Sequence, residues 1–270
     1  MGQGRRAVIV LGIETATVQV GCAVGGVEGV LAEFHAARGR RHAETLVPAI
    51  QFVCQEASIE LREVSAVAVD IGPGLFTGLR VGIATAKALA QALRVPMIGL
   101  SSLDLLAFAV RYTGRTVVAA IDARRGEVYA ATYRPVPGGL QRVSDYQLWK
   151  PRDLVLELVA LGTECLVVGD GVLRHRALFD GDSRITVGTV GYAYPSASAL
   201  VELAHPRAIR EEFVQPSELT PLYLRQADAE MAWRKRREGM GAPAGWTGSV
   251  GGRRNGGDGD GGVAVAEGGG

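Results

Sequence analysis

The chain has 270 residues, of which 47% are hydrophobic, so it can bury a substantial core in one large domain or two small ones. A formal net charge of +1 excludes a global electrostatic attraction to nucleic acid or to anionic lipid. The three cysteines lie far apart without the spacing of zinc ligands, which favours a reduced, cytoplasmic protein. No apolar run is long enough to span a bilayer, so no membrane association is expected.

The N-terminal half alternates short apolar runs with helical patterns. The short runs predict five strands, at residues 7–13, 18–24, 27–34, 66–71 and 95–100. Helical spacing of apolar residues predicts three helices, at residues 42–57, 78–93 and 103–112. Ser101 or Ser102 is expected to cap the third helix.

The second half repeats this order of elements. Strands are expected at residues 116–122, 128–133, 140–149 and 165–168, and a helix from Pro151 to about residue 161. Three strands, a helix, a strand and a helix, present twice, indicate an internal duplication. This α/β layout is that of the actin-like ATPase, sugar kinase and Hsp70 superfold, in which two lobes of βββαβα order face each other across a cleft. We therefore expect one lobe at 7–113 and one at 114–233, and the glycine-rich composition of 234–270 predicts a disordered tail.

A glycine-rich turn precedes the second helix of the N-terminal half. Gly72, Pro73, Gly74 and Gly78 restrict the backbone to conformations that few other residues adopt, and Thr77 is expected to cap the helix. The free N–H groups at the start of that helix would then face a glycine-lined hollow, which is how many anion sites are built. The alternative is a plain structural turn.

The amino-acid sequence of this segment resembles a known family signature. Residues 72–87 read GPGLFTGLRVGIATAK, which is similar to the signature of the bacterial TsaB family, also called YeaZ. Further matches in order and spacing lie at 13–17, 122–129, 168–171 and 221–225, so the resemblance spans roughly residues 8–230. It implies the same actin-like fold that the element order predicts.

The resemblance and the superfold also assign a vestigial nucleotide cleft. Glu14 and Thr15 fall at the first phosphate hairpin, where Glu14 replaces the usual Asp, and Gly169 with Asp170 could edge a nucleotide pocket. Arg124 and its neighbour fall at the second hairpin, where arginines are expected to meet a carboxylate or an RNA phosphate rather than position magnesium. No cofactor is expected to be required, although weak ATP or ADP binding stays open.

A metal site is not expected. The catalytic paralogue TsaD carries a His-x-x-x-His pair on the helix that follows its Val-Pro-x-x-Gly strand, and alignment on residues 95–99 places Ser102 and Leu106 at those two positions. Serine and leucine cannot replace two imidazole ligands. A metallopeptidase of the M22 type is therefore the least favoured interpretation.

Two helices carry more apolar surface than one sheet can cover. Gly78, Gly82 and Ala86 recur every four residues on one helix, and Leu46, Ile50 and Val53 form a stripe on another. These residues pack either on the chain's own sheet or on a partner. The resemblance implies that the two helices contact TsaD, or a second copy of the chain when TsaD is absent.

The resemblance further implies a function without catalysis by this chain. Members of the TsaB family are non-catalytic partners of TsaD in threonylcarbamoyl transfer to the adenosine next to the anticodon of tRNAs that read codons beginning with A. TsaC supplies the threonylcarbamoyl-adenylate, and TsaE and tRNA join the complex. The runner-up is a divergent ATP-dependent small-molecule kinase of the same superfold.

Overall fold

Two mixed β-sheets with equivalent strand order form the centre of the structure, a computed structural model that describes residues 7–37 and 42–225. The first sheet has the order β3-β2-β1-β4-β5. Its strands are β1 (Val10–Glu14), β2 (Val20–Gly26), β3 (Gly29–Ala36), β4 (Ala66–Gly72) and β5 (Met97–Ser101). The strands β1 to β3 form an antiparallel meander, and β4 and β5 continue the sheet parallel to β1.

The second sheet has the order β11-β10-β6-β7-β8, with β9 also paired to β7. Its strands are β6 (Thr116–Arg124), β7 (Glu127–Val136), β8 (Gly139–Arg142), β9 (Gln147–Trp149), β10 (Cys165–Val168) and β11 (Ile185–Val187). Here too an antiparallel part is followed by strands parallel to the first one, β10 and β11. The repeated topology confirms the duplicated, actin-like α/β fold.

Helices cover both faces of each sheet. The helices are α1 (His42–Glu56), α2 (Phe76–Leu93), α3 (Ser102–Ala109), α4 (Pro151–Leu161), α5 (Asp170–Arg174), α6 (Arg176–Phe179) and α7 (Ala197–Ile209). On the first sheet, α1 and α2 bury one face and α7 the other. On the second sheet, α4, α5 and α6 bury one face, and α3 covers the other. Neither of the described stretches contains a helix with the length and hydropathy needed to cross a membrane.

Two helices cross between the predicted lobes. Although α7 comes late in the chain, its Leu200 and Val201 pack on the first sheet. Leu103 and Leu106 of α3, which follows the first sheet in sequence, pack on the second. The lobe bounds 7–113 and 114–233 stay a prediction, since packing is exchanged across them, and the tail at 234–270 lies outside the described residues.

Most predicted elements are confirmed, with ends that differ by at most three residues, whereas the strand expected at 140–149 is divided into β8 and β9. The helix expected at 42–57 is α1, Pro151 opens α4, and the Ser101 hydroxyl caps α3 by accepting a hydrogen bond from Leu103 N at 3.3 Å. The predicted cap of α2 is wrong. That helix begins at Phe76, its N-cap residue is Leu75 without a side-chain cap, and Thr77 lies exposed within the first turn.

Candidate functional site

The first predicted phosphate hairpin is folded into the interior. The fully buried Glu14 accepts a hydrogen bond through Oε1 from Ala16 N at 2.8 Å, and Thr15 donates its hydroxyl to the carbonyl oxygen of Gly78 at 2.9 Å. The Glu14 carboxyl group is therefore engaged within the loop after β1, and Thr15 holds that loop against α2. Neither side chain lines the pocket described below, which is formed in part by the second predicted phosphate hairpin at residues 122–126.

A second buried carboxyl group, that of Asp70 at the end of β4, lies near Glu14. Its Oδ1 accepts hydrogen bonds from Gly72 N at 2.7 Å and from the Ser102 hydroxyl at 2.6 Å. Burial raises the pKa of Asp70 to about 7, and burial together with the charge of Asp70 raises the pKa of Glu14 well above its usual range. Each of the two carboxyl groups has one oxygen without a hydrogen-bond partner among the described residues.

The second hairpin forms a pocket of about 370 Å³ with the start of α5. Asp122 accepts from Arg124 N at 2.9 Å through Oδ1, and its Oδ2 pairs with Arg124 Nη1 at 3.1 Å and Arg174 Nη1 at 3.3 Å. The expectation that Arg124 meets a carboxylate is confirmed. Both oxygens of Asp122 are thus engaged by the chain's own groups, which a magnesium ion would have to displace in order to bind this carboxylate.

Asp170 lines the same pocket, and the preceding residue Gly169 lies against the backbone of β6. Asp170 Oδ1 accepts a hydrogen bond from Asp122 N at 3.0 Å, and burial raises its pKa to about 6. Gly169 has a φ of +110°, and a Cβ there would lie 2.1 Å from the carbonyl oxygen of Ala120. Of the four residues assigned to a nucleotide cleft, only Asp170 lines the pocket. Among the described residues, no cluster of three or more His, Cys, Asp and Glu side chains could hold a metal ion.

The glycine turn lies against the first hairpin. Gly72 has a φ of +102°, a backbone conformation that side-chain-bearing residues rarely adopt, and a Cβ at Gly74 would lie 2.1 Å from the carbonyl oxygen of Ala16. That oxygen accepts a hydrogen bond from Leu75 N at 2.7 Å. The positive φ explains Gly72 and the close approach of the two loops explains Gly74, while the anion site predicted at Gly72, Gly74 and Thr77 stays a prediction.

The six residues predicted to contact a partner point inward. All of them are buried against the chain's own first sheet and loop: Leu46, Ile50, Val53, Gly78, Gly82 and Ala86. Their assignment to an outward surface is therefore corrected. The small residues Gly78, Gly82 and Ala86 form a ridge on α2, and the loop after β1 packs on this ridge at Gly78 and Gly82.

The outward face of α2 consists of other residues. A stripe of exposed positions follows helical spacing along it: Thr77, Arg80, Ala84, Ala88 and Gln91. On α1, Val47 and Phe52 are about half exposed. The apolar periodicity identified both helices, but it gave no signal that separates the inward face from the outward one.

Comparisons with known proteins place these features in a family. A family model described as TsaD, tRNA N6-adenosine threonylcarbamoyltransferase, matches residues 29–233. The chain is 32% identical to Escherichia coli tRNA threonylcarbamoyladenosine biosynthesis protein TsaB over 84% of its own length and 97% of that protein. Its identity to the TsaB protein of Bacillus subtilis is 29%, over 83% of this chain and 97% of the other.

Two further proteins are similar to this chain. An uncharacterized Mycobacterium leprae protein is 38% identical over 82% of this chain, which spans 56% of that longer protein. The structure of YeaZ from Pseudomonas aeruginosa superimposes with a TM-score of 0.71 at 29% identity, covering 80% of this chain and 100% of YeaZ. The chain therefore belongs to the TsaB (YeaZ) family, within the wider TsaD family that the matching model describes.

Proposed function

We propose that this chain is a non-catalytic scaffold that pairs with TsaD and activates threonylcarbamoyl transfer to the adenosine next to the anticodon of tRNAs reading codons that begin with A. The observation that carries the proposal is the match along 97% of a protein named for tRNA threonylcarbamoyladenosine biosynthesis. TsaE and tRNA would join the same assembly in the cytoplasm.

The geometry of the cleft supports a role without catalysis by this chain. Ser102 and Leu106, at the two positions of the TsaD histidine pair, are engaged in packing, since Ser102 donates to Asp70 and Leu106 is buried in the core. Asp122, at the second predicted phosphate hairpin, is paired with Arg124 and Arg174. The proposal accordingly requires no cofactor and allows at most weak ATP or ADP binding.

The contact with TsaD is assigned to the outward stripe of α2. Ala84 and Ala88 lie four residues apart on its exposed side, so another helix can approach this part of α2 closely. The side chains of Arg80 and Gln91 extend the same stripe and can hydrogen-bond to a partner. In the absence of TsaD, a second copy of the chain would occupy the same surface as a homodimer.

Reconstitution of tRNA threonylcarbamoylation with TsaC, TsaD and TsaE from the same organism tests this function. We expect product formation to require the chain, and the variant Ala84→Arg to lose both the activity and co-elution with TsaD. The matched control is Leu156→Arg, which places the same charge on a 63% exposed apolar position of α4 and should leave both unchanged.

Two outcomes would contradict the proposal. If product forms at full rate without the chain, the scaffold function is wrong, and the cleft should be screened for the substrate of a small-molecule kinase. If Ala84→Arg behaves like Leu156→Arg, the function stands but the assigned contact surface is wrong.

A further inference from the structure

A pocket of about 500 Å³ lies beside α3 and shares no lining residue with the pocket of the second hairpin. Asp104 of α3 lines it, and helical geometry puts Asp104 on the opposite side of α3 from Ser102 and Leu106. The volume falls within the range of small-molecule sites. Six large apolar residues from separate parts of the chain contribute to its wall: Ile71, Leu100, Phe108, Leu140, Leu203 and Leu222.

One part of the pocket is an ordered polar cluster. Tyr133 donates its hydroxyl to Asp104 Oδ1 at 2.8 Å, and Tyr146 donates to Asp104 Oδ2 at 2.7 Å. Burial, reinforced by the charge of Asp104, raises the pKa of both phenols, that of Tyr146 to about 12, so both keep their protons at neutral pH. The two donors thus hold and partly compensate the charge of Asp104, and leave phenol oxygen lone pairs as acceptors.

Two arginines from different elements complete the lining. Arg142 of β8 stacks on the ring of Tyr146 with its guanidinium carbon 4.0 Å from the ring centroid, and Nη1 donates to the carbonyl oxygen of Ser144 at 3.1 Å. Arg207 comes from α7. The charge of Arg207 also acts on Glu212, but that carboxylate is itself paired with Arg210 at 2.5 Å.

The charge balance of this lining is therefore positive. The lining contains two arginines and one carboxylate, and that carboxylate accepts two phenol hydrogen bonds. Guanidinium groups bind planar oxyanions through paired N–H donors, and they retain this charge at every physiological pH. The apolar wall, in contrast, favours a hydrophobic body and would bind free inorganic phosphate poorly.

We propose that this pocket binds a small organic anion. Its oxyanion head group contacts Arg142 and Arg207, and its hydrophobic body packs on the apolar wall of the pocket. The volume suits a ligand with a body of about one or two rings. This inference is independent of the contact with TsaD, because the pocket is formed by α3, α7, β4, β5, β7 and β8 with Tyr146 and Leu222, and not by the outward stripe of α2.

The test is a titration of the full chain with 2-naphthoate, followed by the methyl resonances of Leu140, Leu203 and Leu222 in NMR spectra. The neutral isostere 2-naphthamide and inorganic phosphate serve as probes of the body and of the head group alone. The variants are Arg142→Gln and Arg207→Gln, singly and combined. Arg176→Gln is the matched control, since it removes the same charge from an exposed arginine of α6 that pairs with Asp180 and does not line the pocket.

We expect saturable 2-naphthoate binding that shifts the three leucine methyl groups, with a Kd of about 1 mM or tighter. The amide should bind about tenfold more weakly than the carboxylate, and the double arginine variant should weaken 2-naphthoate binding by about tenfold. Arg176→Gln should change it by less than about twofold. Three results would overturn the proposal. They are no saturable binding up to the solubility limit, equal affinity for carboxylate and amide, and shifts at leucine methyl groups remote from the pocket.

Discussion

Thr15 donates its hydroxyl to the carbonyl oxygen of Gly78 at 2.9 Å, so that the loop after β1 lies directly on α2. A Cβ at Gly78 would lie 2.1 Å from the carbonyl oxygen of Thr15, and a Cβ at Gly82 would lie 2.1 Å from Thr15 Oγ1. The glycine ridge of α2 is thus required by a contact within the chain. This contact places the loop after β1 between the first sheet and α2, where the carboxyl group of Glu14 is buried.

Gly82→Ala should lower the free energy of unfolding by about 1–2 kcal/mol, because overpacking against Thr15 outweighs the roughly 1 kcal/mol gained from the helix propensity of alanine. Thr15→Ala removes the oxygen that the new methyl group would meet. In a double-mutant cycle measured by urea denaturation, the combined variant should therefore be less destabilised than the sum of the two single variants. Additivity within about 0.5 kcal/mol would contradict this account of the ridge.

The raised pKa of Asp70 predicts a pH-dependent stability. In the folded state Asp70 titrates at about 7, whereas an unfolded Asp titrates near 4, so the folded state binds more protons between these values. The stabilising contribution is fully present below about pH 4 and is lost as the pH rises through 7. Wild-type stability should accordingly decline across this window, by up to a few kcal/mol from this group.

Asp70→Asn tests this dependence. Asparagine keeps an acceptor oxygen for Gly72 N and the Ser102 hydroxyl but carries no titrating proton, so the variant should gain stability relative to the wild type as the pH rises from about 4 to 8. Urea denaturation at several pH values measures the difference. The control is Asp153→Asn at an exposed position in the first turn of α4. A stability difference between Asp70→Asn and wild type that stays constant across the window would show that Asp70 does not titrate there.

The fold could be predicted because its signals are local. The apolar spacing of Leu46, Ile50 and Val53 fixes α1, and a serine before Leu103 fixes the start of α3. Duplication of the element order then sufficed for the superfold. The direction of the α2 ridge could not be predicted, because periodicity identifies which residues share a face but not what covers that face.

The polar sites were beyond prediction for a different reason. Asp104 meets Tyr133 and Tyr146, which are 29 and 42 residues away on other elements, so no short motif contains the cluster. Asp122 and Arg174 are likewise separated by 52 residues. Only the Asp122–Arg124 pair is local, and the sequence did indicate that an arginine at this hairpin would meet a carboxylate.

Arg225 connects the end of the described chain to the second hairpin, and its removal should loosen both. It donates to the carbonyl oxygen of Ala123 at 3.1 Å and pairs with Glu127. Arg225→Ala should lower the free energy of unfolding by about 1 kcal/mol, a value discounted for partial exposure. It should also speed hydrogen exchange at Leu222 N, which now bonds to the carbonyl oxygen of Ile71 at 2.7 Å.

The control for Arg225 is Arg62→Ala, because Arg62 forms an exposed ion pair with Glu60 and should leave stability nearly unchanged. Exchange at Leu222 is measured by mass spectrometry of the peptide that contains it. Unchanged protection in Arg225→Ala would mean that the contacts of Tyr223 with Phe76 and Arg80 suffice to hold this segment.

Both carboxylate oxygens of Asp122 are bound by groups of this chain, and we therefore predict weak nucleotide binding. A magnesium-bound nucleotide would have to displace Arg124 and Arg174 from this carboxylate, so calorimetry with MgATP should give a Kd no tighter than about 100 µM, and phosphate release should not exceed background. The variant Arg124→Glu tests whether any nucleotide that does bind lies in this pocket. Its control is Arg176→Glu, which changes an exposed arginine that pairs with Asp180. A low-micromolar Kd that Arg124→Glu abolishes and Arg176→Glu preserves would contradict the scaffold assignment of this cleft and favour the kinase alternative.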